Sequence, residues 1–369
     1  MQKKGKVKFT STDNNAFYQE VKKNVQHYFT DNHITRFANA GMVIKSIVLI
    51  TFYLGTFSVI LTVQPAWPIG LGLWIIMGIS FAGIGMSVMH DANHGAYSAS
   101  PAVNRLMGLS LNLLGGAVFN WKLQHNILHH TYTNIKGMDE DIDGKAGMRF
   151  TPHDKWEKKH RYQYIYVFFL YSLITLFWVT AKDFVQYVRF RRNGVNADTA
   201  NRYAYGLLQL IVIKIFYFSL FLFLPILVFH LPVWYVLSGF VLMHFVGGII
   251  LSVVFQLAHT VEYTTYPLPD DEGNMENNWA VHQMHTTVNF SPGSKWISWY
   301  VGGLNFQLEH HLFPRICHVH YPKIAPIVRK TAAQFGIPYL ENKTFLLALR
   351  SHIQVLKHLG KDHHVSWDL

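Results

Sequence analysis

Residues 46–90 read SIVLITFYLGTFSVILTVQPAWPIGLGLWIIMGISFAGIGMSVMH, and between Ser46 and His90 there is not one Lys, Arg, Asp or Glu. As a single straight helix this stretch would be about 68 Å long, roughly twice the ~30 Å hydrocarbon core of a bilayer. It has to turn back on itself. Gln64-Pro65-Ala66-Trp67-Pro68, at its middle, supplies the break, because proline removes a backbone donor and clashes with the preceding turn. A second uncharged stretch, Ile215 to Val261, is interrupted in the same way by His230-Leu231-Pro232. Two helical hairpins are expected, with spans over 42–63, 69–89, 206–229 and 233–258.

Composition agrees. Half of the 369 residues are hydrophobic, 15% are aromatic and 14% are charged; a soluble domain carries about 25% charge. The fold class expected is an all-α integral membrane protein: four transmembrane helices in two hairpins under a cytosolic helical cap. One large domain over 41–330 follows a cytosolic N-terminal segment, 1–40, and precedes a hydrophilic cytosolic tail, 331–369. No apolar core followed by a small-residue cleavage site opens the chain, so no signal peptide is expected. Cys317 is the single cysteine, which excludes a disulfide framework or a zinc ribbon.

Charge orients the spans. Lys and Arg number 7 before Gly41, 14 between His90 and Tyr205 and 9 after Val261, with only Lys45 and Lys214 near span ends. Neither hairpin turn holds any, so both termini and the middle section share the cytosolic side. Leu106–Trp121 is short for a span. Tyr162–Ala181 is long enough, but a crossing there would divide the basic loops between two faces; it is expected to lie in the interface. The basic residues are scattered through aromatic-rich helices, which fits a lipid surface and not a nucleic-acid groove.

Twenty-two histidines are far more than folding asks for. Three clusters stand out: His90-Asp-Ala-Asn-His94, His125-Asn-Ile-Leu-His129-His130 and Gln307-Leu-Glu-His310-His311. On a helix His90 and His94 project from one face, as do His125 and His129, while His130 points aside and could reach a second metal. The first cluster begins where the second span ends, and His259 closes the fourth span, so all of these gather at the cytosolic ends. Isolated histidines are usually ordinary surface residues, but three clusters on one side are a ligand set. A zinc site needs three or four ligands. The eight here (His90, His94, His125, His129, His130, His259, His310 and His311) suit two imidazole-rich iron sites.

These clusters, with Gly302-Gly303-Leu304-Asn305-Phe306-Gln307-Leu308-Glu309-His310-His311-Leu312-Phe313-Pro314, resemble the membrane fatty acid desaturases. Gln307 in place of a histidine resembles the front-end subgroup, which includes the delta-6 enzymes. The resemblance extends through His130-Thr-Tyr-Thr-Asn134, Asp139, Asp141, Trp279 and Gln283 and covers roughly 65–330. It implies an oxidoreductase with two non-haem iron ions that uses O2 and two electrons to place a cis double bond in an acyl chain, carried on a lipid or on CoA. The His-Pro-Gly-Gly element of a fused haem domain does not occur. That leaves the donor as a separate ferredoxin or cytochrome-type haem protein with its reductase; basic residues such as Lys122, Lys155, Lys158 and Lys159 are expected either to steer it or to satisfy topology and contact anionic lipid.

Carboxylates and amides orient metal-bound imidazoles, so Asp91, Asp139, Asp141 and Glu309 are candidates for that role. Gln307 and His282 are candidates for either ligation or orientation. His244, about 22 Å along its helix from His259, is expected to hydrogen-bond within the membrane. His318 and His320 are expected to be structural, and His363 and His364 to be solvated. A related lipid hydroxylase or sphingolipid desaturase shares these clusters. A metal transporter would hold its ligands near the bilayer midplane, and a membrane zinc hydrolase needs fewer.

Overall fold

The computed structural model describes residues 7–10, 15–143, 147–196 and 199–361; His363 and His364 lie outside them. Helices dominate. Among the described residues β structure is confined to two short parallel pairings, Lys8–Phe9 with Asn274–Met275 and Asn289–Phe290 with Glu341–Asn342.

After α1 (Ala16–Asp31), α2 (Ala40–Val63) begins where Asn39 Oδ1 accepts the Met42 N–H at 3.0 Å. It stops at Gln64, whose left-handed backbone (φ 49°) cannot continue a helix. Next, α3 runs over Trp67–His94 and so carries the first histidine cluster as its last turns. Pro101–Leu113 (α4) and Val118–Tyr132 (α5) are bent by 103°. Gly115 makes that bend: its φ is 81°, and a Cβ there would meet Val179 at 2.7 Å and Tyr217 at 3.0 Å. Then come α6 (Lys158–Arg192), α7 (Ala200–Val228) and α8 (Val233–His259). The four expected spans therefore appear as α2, α3, α7 and α8, with ends shifted by a few residues.

Both hairpin turns sit at one end of the bundle. Gln64 Nε2 donates to the Phe229 carbonyl at 2.8 Å, Tyr235 donates to the Pro65 carbonyl at 3.2 Å, and the Trp67 and Trp234 rings lie 5.9 Å apart. Between α3 and α8 the backbones nearly touch: a Cβ on Gly78 would lie 2.6 Å from the Met243 carbonyl oxygen. Small residues permit this approach, which is how packing replaces the hydrophobic drive that lipid cannot supply.

The segment expected to lie in the interface is longer and better packed than its sequence suggests. As α6 it covers 35 residues and is long and apolar enough to cross a membrane, so among the described residues five helices meet that requirement, or six if the bent α4–α5 pair is one span, and not four. It runs beside α8 for several turns: Thr175 donates to the His244 carbonyl at 2.8 Å, and Gly248 leaves no room for a Cβ beside the Ser172 carbonyl. Both of its ends are tied to the segment that precedes it. Gln163 bonds Arg149, and Gln186 and Arg189 bond Glu140.

The two lysines inside the spans are both buried and both explained. Lys214 Nζ lies 2.6 Å from Asp183 Oδ2 and 2.6 Å from the Gly115 carbonyl, and Asp183 also accepts from Trp178 Nε1 at 3.0 Å. This joins α7, α6 and the α4–α5 bend at one point. Lys45 is described below.

The described residues of both terminal segments pack against the rest of the molecule. The α1 helix buries Phe17, Val21, Val25 and Phe29, one per turn. They pack on α12 (Tyr321–Gln334), which follows α9 (Trp279–Thr286), α10 (Lys295–Tyr300) and α11 (Gln307–Leu312). The same holds at the other end. Its α13 (Phe345–Leu359) buries Ala348, Val355, Leu356 and Leu359, and Arg149 Nη1 donates to the Leu359 carbonyl at 2.8 Å.

Candidate metal centre

Helix geometry brings the histidines together from four places in the chain. His90 and His94 end α3, just past a π-helical turn at Ile84–Val88. His125 and His129 lie in the π-helical part of α5, Lys122–His129. Backbone bonds there run from i to i+5, which brings the residue five positions on beneath His125 as readily as the one four on. His130 therefore stays beside His125, its Nε2 3.3 Å from His125 Nε2, while its ring also reaches His311 of the second group. His259 ends α8, and α11 carries His310 and His311.

The rings form two groups. His90, His94, His125 and His310 offer one nitrogen each, all within 4.8 Å of one another, and His129, His259 and His311 do the same. His130 sits between them, its ring 4.6 Å from that of His310 and 4.5 Å from that of His311. Nε2 of His94, His129, His259, His310 and His311, with Nδ1 of His130, is buried without a hydrogen-bond partner. Buried polar atoms are almost always paired, and six orphaned imidazole nitrogens pointed at two centres are a donor set waiting for metal. The residues fit.

The opposite ring nitrogens are held in place. His129 Nδ1 meets Asp139 Oδ2 at 3.1 Å, His259 Nδ1 the Thr286 carbonyl at 3.3 Å, His310 Nδ1 the Tyr321 hydroxyl at 3.2 Å and His311 Nδ1 Gln283 Oε1 at 2.8 Å. An Nδ1–H donated outward leaves the Nε2 lone pair facing in, which sets the tautomer a metal needs. Burial, reinforced by the neighbouring imidazoles, pushes His310 and His311 well below the usual histidine range. They are neutral, as ligands must be.

The orienting candidates divide. Burial works against charge on Asp139, but the His129 ring and the N–H groups of Asn134 and Asp141 hold its carboxyl below the usual range. Asp141 accepts from Gln124 at 2.7 Å and lies 3.8 Å from His129 Nδ1. Glu309 faces the other way, accepting from Asn289 and Tyr339 at 2.8 Å each; burial pushes it up to about 7. Asp91 accepts from His318 Nδ1 at 2.8 Å and from Cys317 at 2.9 Å, while Lys45 donates to His318 Nε2 at 2.7 Å. His318 thus has both nitrogens occupied and is structural, as is His320, bonded to the Phe37 carbonyl. His282 donates to the Thr133 carbonyl at 2.8 Å, away from the two groups. His244 bonds Tyr217 and Thr175 inside the bundle, as expected.

Against the four-histidine group opens a cavity of about 790 Å³. His90, His125 and Gln307 border it; Phe81, Leu114 and Ile174 are among its apolar walls; Gln186 and Arg189 add polar groups. Trp121 stacks on His125, ring centres 4.5 Å apart.

The model of the fatty acid desaturase family matches residues 65–343. This chain belongs to that family. It is 35% identical over 346 residues to the sn-1 linoleoyl-lipid 6-desaturase of Arthrospira platensis, covering 94% of this chain and 93% of the relative. The acyl-lipid (8-3)-desaturase of Physcomitrium patens is 34% identical, over 97% of this chain and 74% of its own length. The delta(5) fatty acid desaturase A of Dictyostelium discoideum is 30% identical, over 94% and 75%. The desaturase is thus an oxidoreductase of a membrane-bound family whose histidines can hold a metal centre. Sequence reasoning missed how Thr286, Tyr321 and Gln283 brace the imidazoles. Gln283 belonged to the resemblance, but nothing in its neighbours announced a bond to a residue 28 positions away.

Proposed function

We propose that this desaturase places a cis double bond in a membrane-lipid acyl chain, using O2 at two irons held by the eight clustered histidines. The observation that carries this reading is the pair of imidazole groups with orphaned nitrogens, the four-histidine group bordering the apolar cavity through His90 and His125. Iron with O2 supplies the oxidising power that no side chain has. The chain's own residues do the rest. The cavity wall takes the acyl chain out of water and positions it beside His90 and His125. Asp139, Thr286, Tyr321 and Gln283 fix the imidazoles, and Gln307 lies where it can touch a metal or the substrate. The relatives' names point to an acyl group on a lipid, with CoA as the other carrier.

The site opens to the cytosolic side in this reading, and the chain crosses the membrane four times. Supporting it are the basic residues on both sides of α6 and their exclusion from the two hairpin turns. A separate ferredoxin or haem protein, with its reductase, delivers electrons near Lys122, which follows Trp121 and its stack on His125.

Expression in a host without polyunsaturated fatty acids tests the activity. Fed candidate substrates, the cells should yield methyl esters with one more cis double bond. A hydroxylated product, or none from an iron-loaded protein with a competent reductase present, would overturn the reading.

A further inference from the structure

The cap carries an apolar patch that no described residue covers. Trp296 of α10 is 84% exposed, Trp299 is 42% exposed, and Leu346 at the start of α13 is 74% exposed. These residues belong together. Ile297 and Tyr300 of α10 pack in the same cluster as Phe345 and Leu349 of α13, against Met86 of α3 and Val254 of α8.

Its place along the bundle is fixed by three contacts. Tyr300 donates to the Ile79 carbonyl at 2.9 Å. Ile79 lies about 16 Å along α3 from His90 at ~1.5 Å per residue, near the middle of Trp67–His94. Lys45 Nζ donates to the Trp299 carbonyl at 2.6 Å, which holds α10 against α2. A Cβ on Gly302 would overlap the Met86 carbonyl, so the turn after α10 is pressed onto α3. A segment distant in sequence from the spans therefore lies alongside their histidine-bearing half.

The surroundings say what covers it. The two helices that α10 is held against carry exposed apolar residues of their own, Ile75, Ile76 and Ile79 on α3 and Ile44 and Ile47 on α2. Lys295, Lys343 and Arg350 are exposed on the same two cap segments. Apolar tips flanked by cations match the boundary between acyl chains and anionic headgroups. We infer that α10 and the start of α13 form a wedge inserted into the leaflet on the active-site side. The turn at Gly302-Gly303 leads from the wedge to Leu304 and Gln307 at the cavity and on to His310 and His311. The depth of the third histidine cluster is thereby tied to the lipid surface.

The inference rests on the membrane reading of α3, and its test separates the two. In full-length protein in anionic lipid nanodiscs, nitroxides are placed by Trp296→Cys and, separately, Leu346→Cys. Ile76→Cys serves as the lipid-facing reference and Lys136→Cys as the aqueous one; Cys317 is buried and does not label. Both wedge positions should be reached by oxygen and shielded from a water-soluble nickel chelate, as at residue 76. Chelate access equal to residue 136 would overturn the wedge. So would shielding from both relaxants with spin–spin broadening, which would mean a second copy covers the patch. Chelate access at residue 76 itself would sink the membrane reading instead.

Discussion

Asp139 shows how one carboxylate sets the chemistry of a ring it does not replace. It accepts a hydrogen bond from the His129 Nδ1–H while its own charge is held by the N–H groups of Asn134 and Asp141. Asp139→Asn keeps the shape but can present its amide to the same nitrogen and lose the tautomer. Loss of such a partner typically costs 10–100-fold in metal affinity. Iron titration of the purified variant should show a fall of about that size, with the protein still inserted; unchanged affinity would remove Asp139 from this role. The eight histidines were legible in the sequence because helical spacing is local information. The facing of Glu309 was not. It sits beside His310 in the chain, yet one step of about 100° around a helix aims it at Asn289 and Tyr339.

At the scale of elements, the Lys214–Asp183 pair is the clearest case of sequence and structure informing each other. A lysine near a span end reads as a snorkelling residue, but here it is buried at the α4–α5 bend. Removing one member of a buried pair costs about 3–5 kcal/mol. The two single variants should differ. Asp183→Ala strands both the lysine and the donors from Ala117 and Trp178, whereas Lys214→Met leaves the aspartate with those donors. Thermal unfolding in detergent should therefore rank Asp183→Ala as the less stable. The reverse order would mean that the carboxylate's other hydrogen bonds carry no weight. The α1 helix was readable in principle, since Phe17, Val21, Val25 and Phe29 recur every fourth residue. Its polar average hid the stripe. The packing of α6 was not readable, because hydropathy gives length and composition but not the neighbour that receives them.

For the whole molecule, the hairpin turns were predicted from two proline-bearing breaks, and the bundle bears them out. Topology gives the matching test: single cysteines at Gln64 and Pro232 should label from outside the cell, and one at Lys136 only after permeabilisation. Labelling of residue 136 in intact cells would reverse the orientation. The contact between those turns has a mechanical consequence. Gln64 grips the Phe229 carbonyl, Tyr235 the Pro65 carbonyl, and two tryptophans close over the junction. Two arms riveted at one tip can part only at the other, as tongs do. Any breathing that admits a substrate must therefore be widest beside the imidazoles and vanish at the rivet, so the end that performs the chemistry is also the end free to open.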